Sequence, residues 1–347
     1  MNDNEIKQRI FLNKIFRKSR ADIKKEACIF CGEKVTSFCN SHSIPRVILK
    51  YIANEGKVLY WTSTSDIECL DTETGINKAG VFFLLCNKCD SNIFSEYENE
   101  ENLTVNSLIN EKVLNKVIAQ IALKNTLSQI YQKSLGAKIL LNGISAEPLY
   151  NEIDLNELSK EYETIKRIVK RKSVDKVFDI VWKYELPYTV PIAFQNEIAL
   201  KFDLEGCKIN DTLYPDPNYK IRMMHICIFP MESKTLILCF YYSKYKKYRK
   251  FSKQFAKLDD LTKLKVLNVL IFLYSDSWFI SPTLNDIIIS SDKLKNMCRT
   301  VLDAGFINYN LNSIYGDASN KILSIIDDIP NLLLYDSKGV KHDLQEG

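Results

Sequence analysis

The sequence predicts an α+β fold in three parts: an N-terminal zinc-stapled module, a helical middle segment and a C-terminal antiparallel sheet with helices. Three observations carry this expectation. Two Cys-x2-Cys knuckles, Cys28-Ile29-Phe30-Cys31 and Cys86-Asn87-Lys88-Cys89, supply four thiolates at the count and spacing of a closed tetrahedral zinc site. Apolar residues then recur at helical spacing through residues 105–137. Finally, residues 188–243 are rich in β-formers, and Pro230-Met231-Glu232-Ser233-Lys234 between two apolar runs suits a hairpin.

In chain order, residues 3–25 read as a basic amphipathic helix with Ile6, Ile10, Phe11, Ile15 and Phe16 near helical spacing. Strand-like runs follow at 58–61 and 81–85, the second leading directly into the Cys86 knuckle, and residues 90–97 can enter a helix with Asp90 at its N-terminus. Knuckle, strand, knuckle, helix is the order of a treble clef, with residues 54–80 as an insertion. Helices are expected at 105–137, with a stripe of Leu108, Ile109, Val113, Val117, Ile118, Ile121, Leu123 and Leu127, and at 154–172. Strands are expected at 198–202, 223–229 and 236–242, and helices at 245–258, 261–274 and 291–304. The organisation is therefore 1–26 basic helix, 27–100 zinc-stapled module, 101–175 helical connector and 176–347 α+β module.

Composition limits the function classes. Forty-seven Lys plus Arg against 43 Asp plus Glu leaves +4, so local clusters matter more than net charge. Of ten cysteines, four form two CxxC pairs, a grouping that fits metal binding in a reducing compartment better than disulfides. Residues 1–5 are polar with no apolar signal core behind them, and the longest apolar run, 266–274, is far short of the ~20 residues that span a bilayer. A cytoplasmic protein without a membrane anchor is expected.

The knuckles enclose Ser41-His42-Ser43-Ile44-Pro45-Arg46, and the second is followed by Asp90 and Asn92. Over residues 26–99 this order resembles the zinc-stapled branch of the HNH endonuclease family. The resemblance implies a ββα-metal fold on a treble clef that hydrolyses phosphodiesters. In that reading His42 is the general base, and Arg46 contacts the substrate phosphate. Asp90 and Asn92 hold a catalytic Mg²⁺ or Mn²⁺, while Cys28, Cys31, Cys86 and Cys89 hold structural zinc. An imidazole near pKa 6.5 can take a proton from water, and a hard cation can stabilise charge on the phosphate. The implied partner is nucleic acid, with double-stranded DNA ahead of RNA. The C-terminal module would bind substrate, dimerise or engage a protein partner. A nuclease with such a module also resembles the effectors of prokaryotic antiviral genome defence, by analogy alone.

One departure stands out. The family commonly carries Asp or Glu before its base, and here Ser41 stands there, so either Asp90 completes a metal site with Asp66, Glu68 or Asp71, or metal affinity is low, or catalysis has been lost. No motif anchors the asparagine that orients the base; Asn77 is the closest by position. A rival zinc set exists in Cys28, Cys31, Cys39 and His42, because Cys39-Asn40-Ser41-His42 is itself a Cys-x2-His knuckle. The rival function is a non-catalytic zinc module that binds nucleic acid or a protein. The run Lys166–Lys172 and the cation-aromatic alternation of 244–255 could contact phosphates and bases. Tyr245, Tyr248, Phe251 and Phe255 also fall at the spacing of a buried helix face. His225, in an apolar strand, reads as a core histidine.

Overall fold

The chain forms helix α1 (Asp3–Asp22), strand β1 (Ser41–His42), α2 (Arg46–Ile52), β2 (Lys57–Tyr60), β3 (Thr72–Gly75), β4 (Val81–Phe82) and α3 (Asn87–Ile93). It continues through α4 (Glu111–Ile144), α5 (Asn151–Val169), β5 (Phe178–Leu186), β6 (Ile192–Ile198), β7 (Met224–Pro230) and β8 (Thr235–Tyr242). It closes with α6 (Lys246–Ala256), α7 (Asp260–Tyr274), β9 (Trp278–Ile280) and α8 (Asp292–Gly305). This computed structural model describes residues 3–60, 72–144, 151–211, 219–284, 291–305 and 321–343. The chain is mixed helix and antiparallel sheet, as expected of an α+β protein.

Seven strands pair in the order β3-β2-β9-β6-β7-β8-β5, every pair antiparallel. The expected hairpin joins β7 to β8, with the Met231 amide donating to the Lys234 carbonyl at 2.8 Å. Several strands depart from the sequence reading, and β3 and β9 were not expected at all. The strand expected at 198–202 is the preceding segment Ile192–Ile198, where Gln195, Asn196 and Glu197 are buried although polar. Strand β5 was not expected; it is an edge strand whose interior residues are only half-buried, so its apolar signal is weak.

The sheet also crosses the segments that the sequence separates. Strands β2 and β3 lie between the cysteine knuckles, yet Leu59 pairs with Ile280 and Tyr60 with Phe279 of β9. Alternation along the strands divides the core in two. Ile192, Phe194, Ile226, Ile228, Ile237 and Cys239 face α6, α7 and α8; Ala193, Cys227, Phe229, Leu236, Leu238 and Phe240 share a core with α2, α4 and the cysteine module.

Helix α4 is the axle of that second core. From Val117 to Ser128 every residue is buried, including Gln120, Lys124, Asn125, Thr126 and Ser128, as expected of a helix enclosed on all sides. The expected stripe holds except at Ile109, which lies in a short 3-10 turn before the helix and is 69% exposed. Helix α1 packs on α4 through Ile15 and Ser19, while Ile6, Ile10 and Phe11 face solvent, so its apolar face is narrower than its spacing suggested. Among the described residues no helix is long and apolar enough to cross a membrane.

Candidate metal centre and catalytic site

The first knuckle is a tight turn in which the Cys28 amide donates to the Glu33 carbonyl at 2.9 Å and Gly32, at φ +80°, donates to the Cys28 carbonyl at 2.8 Å. Left-handed backbone of this kind suits glycine. The second knuckle runs into α3, whose N-cap is Cys86: its sulfur accepts the Cys89 amide at 3.4 Å. Cross-links seat one knuckle on the other, with the Cys86 amide donating to Cys28 Sγ at 3.4 Å and the Ile29 amide to the Leu84 carbonyl at 3.0 Å. The C-terminal half of α5 clamps the first turn, since Tyr162 Oη donates to the Ile29 carbonyl at 2.8 Å and Lys166 lies 5.5 Å from the Phe30 ring.

The sulfurs of Cys28, Cys31, Cys86 and Cys89 lie within 4.8 Å of one another. Four sulfurs bound ~2.3 Å from one zinc would stand about 3.8 Å apart, so the donor set fits a tetrahedral metal ion such as zinc. Burial would raise the Cys28 thiol, but hydrogen bonds from the backbone of Cys31, Cys86 and Phe30 and from the Cys31 side chain bring it down to about 7. Burial and the neighbouring thiols push Cys89 up. The rival set is not assembled: Cys39 Sγ donates to Asp90 Oδ2 at 3.4 Å, and the His42 ring is engaged elsewhere.

His42 sits in β1, which pairs with β4 through Ser41 to Phe82 and His42 to Val81. Gly80 permits this approach: its φ is +62°, and a Cβ there would collide with Ser43 Oγ and stand 3.2 Å from the Phe279 ring. The half-buried His42 ring places Nε2 3.0 Å from the Ile76 carbonyl. A carbonyl only accepts, so Nε2 carries the proton and the lone pair is on Nδ1. Burial lowers the His42 pKa, opposed in part by the Ile76 and Asn40 backbone; Lys124 lowers it further and Asp90 raises it. The orienting contact comes from a main-chain carbonyl next to Asn77 rather than from the Asn77 side chain.

Asp90 lies within the first turns of α3 and does not cap it. Ser41 Oγ donates to its Oδ1 at 2.8 Å, and Lys124 Nζ lies 3.1 Å from the same oxygen. Lys124 is fully buried, pairs also with Glu98 at 3.1 Å and stands 3.7 Å over the Phe94 ring. With Cys39 on Oδ2, both carboxylate oxygens are engaged. Asn92 is exposed on α3, and Arg46 is exposed at the start of α2. These residues do not fit a hydrated divalent cation. The positive charge beside Asp90 is a lysine ammonium, and protein groups engage both oxygens of the carboxylate expected to hold Mg²⁺ or Mn²⁺ with Asn92. Asp66, Glu68 and Asp71 lie outside the described residues.

The sequence reading missed Lys124, Glu98 and the Ile76 carbonyl, and it offered Cys39 as a zinc ligand where the structure sets it on Asp90. Lys124 and Asn125 did leave a signal, since they interrupt the apolar stripe of α4 between Leu123 and Leu127. The aromatics of α6 are core: Tyr248, Phe251 and Phe255 are at most 1% exposed and unavailable for base stacking. Comparison with protein-family models, curated proteins and solved structures finds no match to this chain.

Proposed function

We propose that this chain is a zinc-stapled nuclease of the HNH type that hydrolyses phosphodiester bonds in nucleic acid, duplex DNA before RNA. The observation that carries the reading is the His42 ring, held by Ile76 with its lone pair on Nδ1 in the strand between the two knuckles. His42 Nδ1 would take a proton from water as the water oxygen bonds to phosphorus, and the departing oxygen would leave protonated by solvent. Depression of the His42 pKa by burial keeps that lone pair free at neutral pH. Arg46, four residues on and exposed, offers a guanidinium to the phosphate. The zinc would supply folding energy rather than chemistry, and a treble-clef arrangement of the knuckles would set the position of β1. Because Asp90 is engaged by Lys124, Ser41 and Cys39, no step is assigned to a second metal.

The same engagement of Asp90 favours one other reading, a zinc module that binds nucleic acid or protein without cutting. Incubation of purified protein with supercoiled plasmid, with and without added Mg²⁺ or Mn²⁺, separates the two. The nuclease reading expects nicking that His42→Ala abolishes while zinc content and melting temperature stay unchanged. Plasmid left intact under every condition by folded, zinc-loaded protein supports the binding module.

A further inference from the structure

On the sheet face beneath α4 and α5 lies a polar cluster that the proposed chemistry does not use. Glu197 of β6 is 2% exposed, and among the described residues neither of its side-chain oxygens accepts a hydrogen bond. The neutral ring of His225 on β7 places Nδ1 3.8 Å from Glu197 Oε2, too far for a hydrogen bond. That nitrogen instead accepts from Asn125 Nδ2 at 3.1 Å, and Gln195 Nε2 donates to Asn125 Oδ1 at 2.9 Å, so His225 is held in place without satisfying the carboxylate. Lys133 on α4 and Glu161 on α5 act on Glu197 electrostatically. Glu161 Oε1 and Tyr242 Oη are likewise buried without a hydrogen-bond partner among the described residues.

Tyr242, at the end of β8, and Tyr245, just before α6, present rings whose centroids are 5.6 Å apart. The chain's own Lys244 ammonium lies 4.3 Å from the first ring and 5.2 Å from the second, and its charge acts on Glu161. Aromatic faces beside buried carboxylates attract cations. A metal ion is the poorer match, since the four-cysteine set is the one metal-binding group among the described residues. We propose that Glu197, Glu161 and the Tyr242–Tyr245 rings form a binding site for a small organic cation, an alkylammonium or guanidinium, with Lys244 covering its outer side as an internal stand-in. The charges of Glu161 and Glu197 both act on Tyr242 and Tyr245, which places the carboxylates and the rings in one neighbourhood. Burial raises the Glu197 pKa well above the usual carboxylate range, with the charge of Glu161 acting in the same direction, so binding of a cation to the ionised carboxylate is coupled to proton release.

Isothermal titration of the full chain with 1,4-diaminobutane and with agmatine, against 1,4-butanediol as the uncharged control, tests this. Saturable binding of at least one cation is expected, with a heat that depends on the buffer's ionisation enthalpy because a proton is released, and no binding of the diol. Lys244→Met should tighten binding several-fold by removing the internal competitor. Glu197→Gln should weaken it by roughly tenfold or more. Glu161→Gln, nearer the surface, gives the same reading should Glu197→Gln fail to fold. Absence of binding by both cations at roughly millimolar concentration overturns the proposal, as does equal binding of the diol, or affinity unchanged in both glutamate variants.

Discussion

Lys124 Nζ stands 3.1 Å from Asp90 Oδ1, with the lysine side chain wholly removed from solvent and the aspartate side chain 13% exposed. A buried ammonium costs several kcal/mol to desolvate, which its two carboxylates and the Phe94 ring offset. The charge beside the proposed base is therefore a fixed part of α4.

Lys124→Met keeps the volume and removes the charge, leaving Asp90 without its buried partner. A stability loss of about 3 kcal/mol is expected in urea unfolding. Pairing the change with Asp90→Asn should recover part of that loss. A double-variant loss equal to the sum of the two single losses would show that the two charges do not depend on one another.

Purified protein should carry one zinc per chain. Cys86→Ser should abolish that stoichiometry and lower stability on the order of several kcal/mol, because it removes one of the four sulfurs that fit the metal while serine keeps the N-cap of α3. Elemental analysis together with thermal unfolding gives the answer, and zinc retained at full occupancy in Cys86→Ser would remove it from the ligand set.

The proposed base fixes the pH dependence of cleavage. His42 works only when neutral, and burial lowers its pKa below 6.5. The rate should therefore be level near neutrality and fall only at pH below 6.5, with the acid limb of kcat/KM centred under that value. An acid limb centred above pH 6.5 would point to a different base.

His225 links stability to pH independently of any activity. Burial depresses its pKa to about 3, while the unfolded chain titrates near 6.5, so between these values the unfolded state binds the extra proton. This contribution is complete above pH 6.5 and drains away as pH falls toward 3, at up to ~1.4 kcal/mol per pH unit. His225→Phe should flatten that part of the stability profile in denaturant titrations across the window. A parallel slope in wild type and variant would assign the acid sensitivity to other groups.

The knuckles were legible because four-cysteine spacing is local chemistry, α6 because its apolar periodicity is strong, and α4 and α7 because they are long, predominantly apolar segments. Asp90 was recognised as a site residue but not its partner, since Lys124 is 34 positions away and only the fold brings the two together. The β6 strand was misplaced by six residues because Gln195, Asn196 and Glu197 look like a loop and are in fact buried. Pairing of β2 with β9 leaves no local trace at all, because strand register between distant segments is set by tertiary packing.

That pairing has a consequence for how the protein is made. Leu59 waits for Ile280, so on the ribosome roughly 220 residues, at 5–20 residues per second about 10 to 45 s of synthesis, separate the two strands. Through that interval the β2–β3 hairpin has an unsatisfied edge open to wrong partners. Early zinc capture by the knuckles on either side would hold the nascent hairpin in a closed loop until β9 emerges. Expression without zinc should then yield aggregated chains even where the finished protein, once assembled, tolerates a chelator.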